Sequence, residues 1–417
     1  MTTINSERLL ERFLRYVKID TTADDSTSEY PSSAGQWTLG KLLCEELEAA
    51  GLQEIRQDEH GLIWAQLPSN VPSAPTIAFN SHLDTSPETS GKNVQPQVIV
   101  DYQGGDIQLT GDRSQVIRVT DNPELQSLIG NTLITTDGTT LLGGDDKAGL
   151  AIIVEAMQWL AENPEFPRPT IRVVFTCDEE IGRGVSRLDV NCLEASACYT
   201  LDGPAANQID VETFSADLAT ITFRGVNIHP SIAKDRMVNA VRGAGVFLEQ
   251  LPTDQLAPES TSEREGFLHP YVIEGGVGET KLSVLLRNFD TPILAEYAEL
   301  LAATAKKTEQ AMPGLEVSVD VSIQYRNLKE GLDKEPRSVE YAVEAHKRLG
   351  RDSAISMIRG GTDGSMMTEK GLPTPNLSSG QHNPHSPLEW ACLDEMKAAA
   401  EVVVELARVW AEDPHAS

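Results

Sequence analysis

The stretch Leu141-Leu142-Gly143-Gly144-Asp145-Asp146-Lys147-Ala148-Gly149-Leu150-Ala151 decides the fold. It follows an expected strand over 132–136 and turns through two glycines. It then presents two adjacent carboxylates and opens an amphipathic helix expected over 147–161, stopped by Asn163-Pro164. Acids at a helix start complement the positive end of the helix dipole. On this stretch alone, Asp145 and Asp146 read equally well as helix caps.

Working outward, the same strand-to-polar-cluster pattern recurs. An apolar strand over 76–80 runs into Ser81-His82-Leu83-Asp84-Thr85. Another over 171–176 empties into Cys177-Asp178-Glu179-Glu180-Ile181-Gly182. A third over 197–201 is followed at once by Asp202-Gly203. Helical periodicity is expected over 5–17, capped by Asn5 or Ser6, and over 36–50, where Gly51 ends it. A further strand is expected over 61–67. Alternation of strands and helices to about residue 210 predicts a mixed or parallel sheet covered by helices. Residues 91–130 are polar and glycine-punctuated, with short strands at 98–100 and 116–119, and read as an excursion from that core. From residue 216 the character changes. Strands at 218–223, 281–288 and 315–325 and helices at 237–251 and 292–308 make a second, smaller α/β unit. The first pattern resumes near 328 and closes on a helix over 394–411. The expected fold class is therefore α/β: a mixed-sheet hydrolase-like domain, 1–212 with 327–417, carrying an inserted α/β domain at 213–326.

A chain of 417 residues is too long for one core, which agrees with two domains. The net charge of −29 argues against nucleic-acid backbones and anionic membranes, so neither is expected as a partner. No apolar run reaches the roughly 18 residues of a membrane span. No basic region followed by an apolar one opens the chain, and a cytoplasmic protein is expected. The five cysteines are odd in number and form no Cys-x-x-Cys pair, so reduced thiols are expected.

Ligands of open α/β sheets bind at the carboxyl ends of the strands. Here those ends carry His82 with Asp84, Asp145 with Asp146, Glu179 with Glu180, and Asp202. A late loop adds His382-Asn383-Pro384-His385. Each cluster has an ordinary reading: a hydrogen-bonded loop histidine, solvated acids, an Asp-Gly turn, a surface histidine. Their joint placement is what solvated charge does not explain. Carboxylates and imidazoles gathered at apolar strand ends repel or desolvate one another unless a cation neutralises them. Two histidines and three carboxylates suit a pair of zinc-like ions, with one carboxylate bridging. A further acid beside them serves as general base. Asp84, two residues from His82, is placed to take the other ring proton. Gly360-Gly361-Thr362-Asp363-Gly364 lacks the lysine of a phosphate loop, and no Gly-x-Ser-x-Gly elbow is present.

These motifs, together with Thr176–Gly184, Ile358–Gly364, Gly91-Lys92-Asn93-Val94, Gly104-Gly105-Asp106-Ile107, His229-Pro230 and Met237-Val238-Asn239-Ala240, resemble the peptidase T branch, the tripeptide aminopeptidases, of the two-zinc peptidases related to carboxypeptidase G. The likeness spans nearly the whole chain in order. It implies a cytoplasmic metallo-aminopeptidase with two Zn2+ per subunit, for which Co2+ or Mn2+ can substitute. Small peptides would be its substrates, tripeptides losing their N-terminal residue to zinc-bound hydroxide. It implies that His82 and Asp202 hold one zinc, Glu180 and His385 the other, and that Asp145 bridges them. Glu179 is then the general base, and Asp84 orients His82. Asp146 supports the turn. The insert becomes a lid and homodimerisation domain. His229 on it polarises the scissile carbonyl, and Arg287 and Arg359 are candidates for gripping a substrate carboxylate. His385-Ser386-Pro387-Leu388-Glu389 fits the family's His-x-x-x-Glu pattern and His382 does not. The family often has Ala where this chain has Gly144, and often a histidine where it has Leu388. Two alternatives stand beside this reading: a related two-zinc dipeptidase or amidohydrolase, and a metal-binding pseudoenzyme.

Overall fold

Four parallel strands lie side by side in the middle of the main sheet, and each ends at a polar cluster. In order across the sheet they are Ile171–Thr176, Ile77–His82, Ala197–Pro204 and Asn376–His382. This computed structural model describes residues 3–413. Ile171, Val173, Val174 and Phe175 are all buried, as strands covered on both faces require. Antiparallel strands flank them. Ile63–Leu67 and Gln53–Gln57 lie on one side; Trp390–Cys392, Leu133–Thr135 and Gln97–Ile99 lie on the other. The sheet is thus mixed.

The helix Gly144–Glu162 packs on strand Ile77–His82 and is covered in turn by the helices Ser6–Tyr16 and Leu393–Ala411. Its expected amphipathic character is corrected by the structure: every residue from Asp146 to Met157 is buried. Small residues such as Ala148, Gly149, Ala151 and Ala156 let neighbours close on both faces. The one strongly polar position in the middle, Glu155, is paired with Arg8 at 2.7 Å and with Arg12. On the covering helix, Asn5 is the cap, its Oδ1 accepting the Arg8 N–H at 3.1 Å.

Strand Gln53–Gln57 carries no alternating pattern and forms because it pairs with Ile63–Leu67. The excursion at 91–130 is more than polar loop. Tyr102, Ile107, Leu109, Ile117, Leu125 and Leu128 build a small core against Leu133 and Trp390.

The chain divides into two compact units. One holds the described residues within Met1–Val211, Leu328–Ser356 and Thr362–Ser417. The other holds Glu212–Asn327 and, unlike the sequence-based boundary, Met357–Gly361. In the second unit, four antiparallel strands run in the order Phe267–Gly275, Glu279–Asn288, Ser215–Arg224, Glu316–Tyr325. Helices Ala240–Glu249 and Ile293–Ala311 cover one face through Phe247, Leu294 and Leu301. The five cysteines are free thiols, three of them buried. No helix among the described residues is long and apolar enough to cross a membrane.

His346, on helix Arg337–Arg348, is 2% exposed beside Leu377 and Ala399. Burial, then the charge of Arg351, lowers its pKa to about 4. The unfolded chain, with an ordinary pKa near ~6.5, takes up the proton first. This histidine's contribution is therefore complete above about 6.5 and lost as pH falls towards 4. Between pH 7.5 and 4.5 the wild type should lose about 2 kcal/mol more stability than His346→Gln, read by denaturant unfolding at the two pH values. Equal losses would mean that His346 is protonated in the fold.

Candidate metal centre

Two glycines set the turn that the site is built on. Gly143 is left-handed, with φ +82°, a conformation that costs a glycine little. Gly149 lets the helix approach the central strand, since a Cβ there would lie 2.2 Å from the Leu201 carbonyl oxygen. Between them the backbone at Asp145 (φ −81°, ψ 102°) and Asp146 (φ −120°, ψ 34°) is not helical, and the peptide joining them is cis. The two carboxylates take different partners.

Asp146 is satisfied by its own surroundings. Its Oδ2 accepts the Ser81 hydroxyl and the His82 N–H, and its Oδ1 accepts the Gly149 N–H at 3.2 Å. Asp145 instead turns one oxygen to each of two imidazoles. Its Oδ1 lies 3.0 Å from His82 Nε2, and its Oδ2 lies 3.3 Å from His385 Nε2. Glu180 Oε2 is 2.8 Å from the same His385 nitrogen, and Asp202 Oδ1 is 3.9 Å from His82 Nε2. The structure therefore brings all five expected ligands together. Donor atoms of His82, Asp145 and Glu180 lie within 4.8 Å of one another, as do those of His82, Asp146 and Asp202.

Supporting contacts hold these donors. His82 Nδ1 is 3.1 Å from the Asp84 carbonyl oxygen and 3.5 Å from its carboxylate, so the carbonyl is the nearer acceptor. The Asp84 carboxylate also braces the neighbouring turn, its two oxygens accepting the N–H groups of Glu179 and Glu180, each at 3.0 Å. It thus ties His82 to the turn carrying both glutamates. Asp178, just before that turn, accepts Ser32 N–H at 2.8 Å and Gln36 Nε2 at 2.7 Å. Asp202 receives Gln381 Nε2 at 3.1 Å, and its N–H donates to Asn376 Oδ1 at 2.9 Å. His385 Nδ1 faces Glu88 Oε2 at 3.2 Å, and the Thr89 hydroxyl donates to the His385 carbonyl at 2.6 Å. Sequence reasoning missed Asp178, Gln381 and Glu88, which carry no spacing signal.

The electrostatics ask for positive charge. Burial, Asp145 and Asp146 raise Asp202 well above the carboxylate range. Burial and Asp145 raise Glu180 to about 7. Glu179 is also raised, first by burial and further by Asp363, Glu180 and Asp84, against His82. Burial alone would lower His385, but Asp145 and Glu180 outweigh it and lift it to about 11. Among the described residues, the basic groups ion-paired with Asp145, Glu180 and Asp202 are the two imidazoles. Glu180 Oε1 is buried with no hydrogen-bond partner. Oxygen and imidazole donors in this number fit two divalent ions of zinc type better than a hard-ion cage of oxygens alone.

The other three expected residues belong to the second unit. His229 is exposed, with Nδ1 2.7 Å from Ser231 Oγ. Arg287, on strand Glu279–Asn288, donates to the Tyr325 hydroxyl and lies over its ring. Arg359 departs from expectation. Its Nη1 donates to the carbonyls of Glu263 and Glu265 at 2.8 and 2.9 Å, and its Nη2 to Thr261 Oγ1 at 3.0 Å. A guanidinium so engaged, and packed on Phe214 and Phe267, is a clamp within its own unit rather than a free carboxylate fork.

Known proteins resemble this chain in sequence and in fold. The chain is 44% identical over 409 residues to Peptidase T of Geobacillus thermodenitrificans (strain NG80-2), covering 97% of this chain and 98% of that one. It is 43% identical over 403 residues to Peptidase T of Bacillus subtilis (strain 168), at 96% and 98% coverage. Among solved structures, the aminopeptidase PepT of Bacillus cereus ATCC 10987 superposes with a TM-score of 0.75 at 26% identity, over 98% of this chain and all of that one. A dinuclear metal-binding M20 peptidase of Bacillus subtilis shares the fold at TM-score 0.64 and 15% identity, over 97% and 98%. Residues 138–409, which include Asp145, Glu179, Glu180, Asp202 and His385, match the model of Peptidase family M20/M25/M40, and the chain belongs to that family.

Proposed function

We propose that this chain is a cytoplasmic aminopeptidase that removes the N-terminal residue of tripeptides, with two divalent ions, zinc by preference, at the centre. The observation that carries this reading is Asp145, whose two oxygens face His82 and His385 separately, as a bridging carboxylate must. The full-length likeness to Peptidase T supports the tripeptide preference. His82 and Asp202 would hold one ion, Glu180 and His385 the other, and Asp145 both. When bound, the ions supply Lewis acidity towards the scissile carbonyl and the attacking water.

The protein's own groups do the rest. Glu179 takes a proton from the attacking water and delivers it to the nitrogen of the leaving peptide. Asp84 keeps Glu179 in place through its N–H, and the Asp84 carbonyl oxygen fixes the His82 ring. The second unit serves as lid and dimerisation domain. From it, His229 polarises the scissile carbonyl and Arg287 pairs with the substrate's C-terminal carboxylate. A substrate carboxylate held by a charge-assisted pair makes peptide length matter.

The test is kcat/KM on di-, tri- and tetrapeptides with free N-termini. A charge-assisted pair is worth about 1.5–3 kcal/mol, so tripeptides should lead by roughly 10- to 100-fold. Equal turnover of all lengths would remove the tripeptide assignment in favour of a dipeptidase or amidohydrolase. No turnover with both ions bound would favour a pseudoenzyme.

A further inference from the structure

Glu389 lies four residues beyond His385 and is 1% exposed. Its Oε2 accepts the backbone N–H groups of Leu142 and Gly143 at 2.7 and 2.8 Å, and its Oε1 accepts that of Asp145 at 3.1 Å. N–H groups at a helix start have no partner within the helix, so an external acceptor decides where they point. The glutamate's own N–H donates to the Ser386 carbonyl at 3.1 Å, closing the loop that carries His385. On its other side Trp390 enters the sheet, paired with Thr135 and His382. One side chain thus joins the turn bearing Asp145 to the loop bearing His385, from a rigid strand end. The buried Lys147 ammonium, held by the Ile19 carbonyl at 2.8 Å, contributes compensating charge nearby.

We infer that Glu389 is a positioning residue for metal binding: it sets the spacing between Asp145 and His385 by holding three backbone N–H groups of the Asp145 turn. This rests on the ligand set proposed above. Glutamine is nearly isosteric, but its amide would turn a donor towards one of these N–H groups, most directly that of Asp145. Aspartate keeps the charge and shortens the reach by one methylene.

The test is titration of Zn2+ alone into chelator-stripped protein against a competing chromophoric chelator, with melting of the metal-free protein in parallel. Glu389→Gln and Glu389→Asp should each bind both ions about 10- to 100-fold more weakly, as loss of a supporting residue does, with metal-free melting close to wild type. A purely scaffolding role would lower metal-free melting and leave the affinities of the folded protein unchanged; that result overturns the inference. Failure of both variants to fold would do so too. Asp145→Asn separates the two levels. If it binds both ions like wild type, the ligand set itself is wrong. If it loses them while the Glu389 variants do not, only the role of Glu389 fails.

Discussion

Glu179→Gln is expected to lower kcat by about 10^3-fold, within the 10^2 to 10^4 typical of a positioned general base, while two ions per chain remain bound. The substitution removes a proton acceptor and almost nothing else. The backbone N–H of residue 179 still donates to Asp84, so the turn and Glu180 stay in place. Glutamine is neutral, and neutral is the state towards which burial and the acidic neighbours Asp363, Glu180 and Asp84 press Glu179. The fold should therefore be no less stable, because the amide carries no charge to desolvate or to crowd against those acids. Steady-state kinetics with elemental analysis of the same sample reads both halves. Retained activity would give the proton to another group. Loss of an ion would make Glu179 a ligand.

Asp145→Asn should act on binding before chemistry. An amide keeps one acceptor oxygen and replaces the other with a donor, so it can serve His82's side or His385's side but not both. The native carboxylate is strongly committed: burial would raise it, yet the His385 and His82 contacts outweigh that and hold it below the ordinary carboxylate range. Affinity for both ions should fall by more than the roughly 100-fold that loss of a supporting residue costs, with activity falling in step. Competition titration against a chelator measures this directly. Loss of one ion with the other held at wild-type affinity would move the bridging role to another residue.

Much of this was legible because most of the metal-facing residues follow an apolar run, His385 being the exception. His82, Glu180 and Asp202 sit where a strand's burial pattern stops, a place that local sequence marks. What local sequence does not mark is which of two adjacent acids faces the centre. Asp145 and Asp146 separate only through the non-helical turn between Gly143 and Lys147 and through Ser81 and Gly149, which satisfy Asp146. Glu389 was visible as a spacing from His385, but its partners lie 244 to 247 residues away in sequence. Arg359 looked free because the carbonyls that engage it belong to an aperiodic loop, 261–265. The helix Gly144–Glu162 looked half-exposed because Glu155 cannot announce its arginines in advance.

The position of strand Asn376–His382 has a consequence for biosynthesis. It lies in the middle of the sheet, between Ala197–Pro204 and Trp390–Cys392, although it is nearly the last strand in the chain. Chains are made from the N-terminus, and long-range strand pairing is the slow part of folding. A nascent chain therefore carries an open seam in its central sheet until residues 376–382 have been made, and His385 emerges just after the strand that closes it. The proposed donor set is incomplete for as long as that seam is open, since His385 lies beyond the strand that closes it.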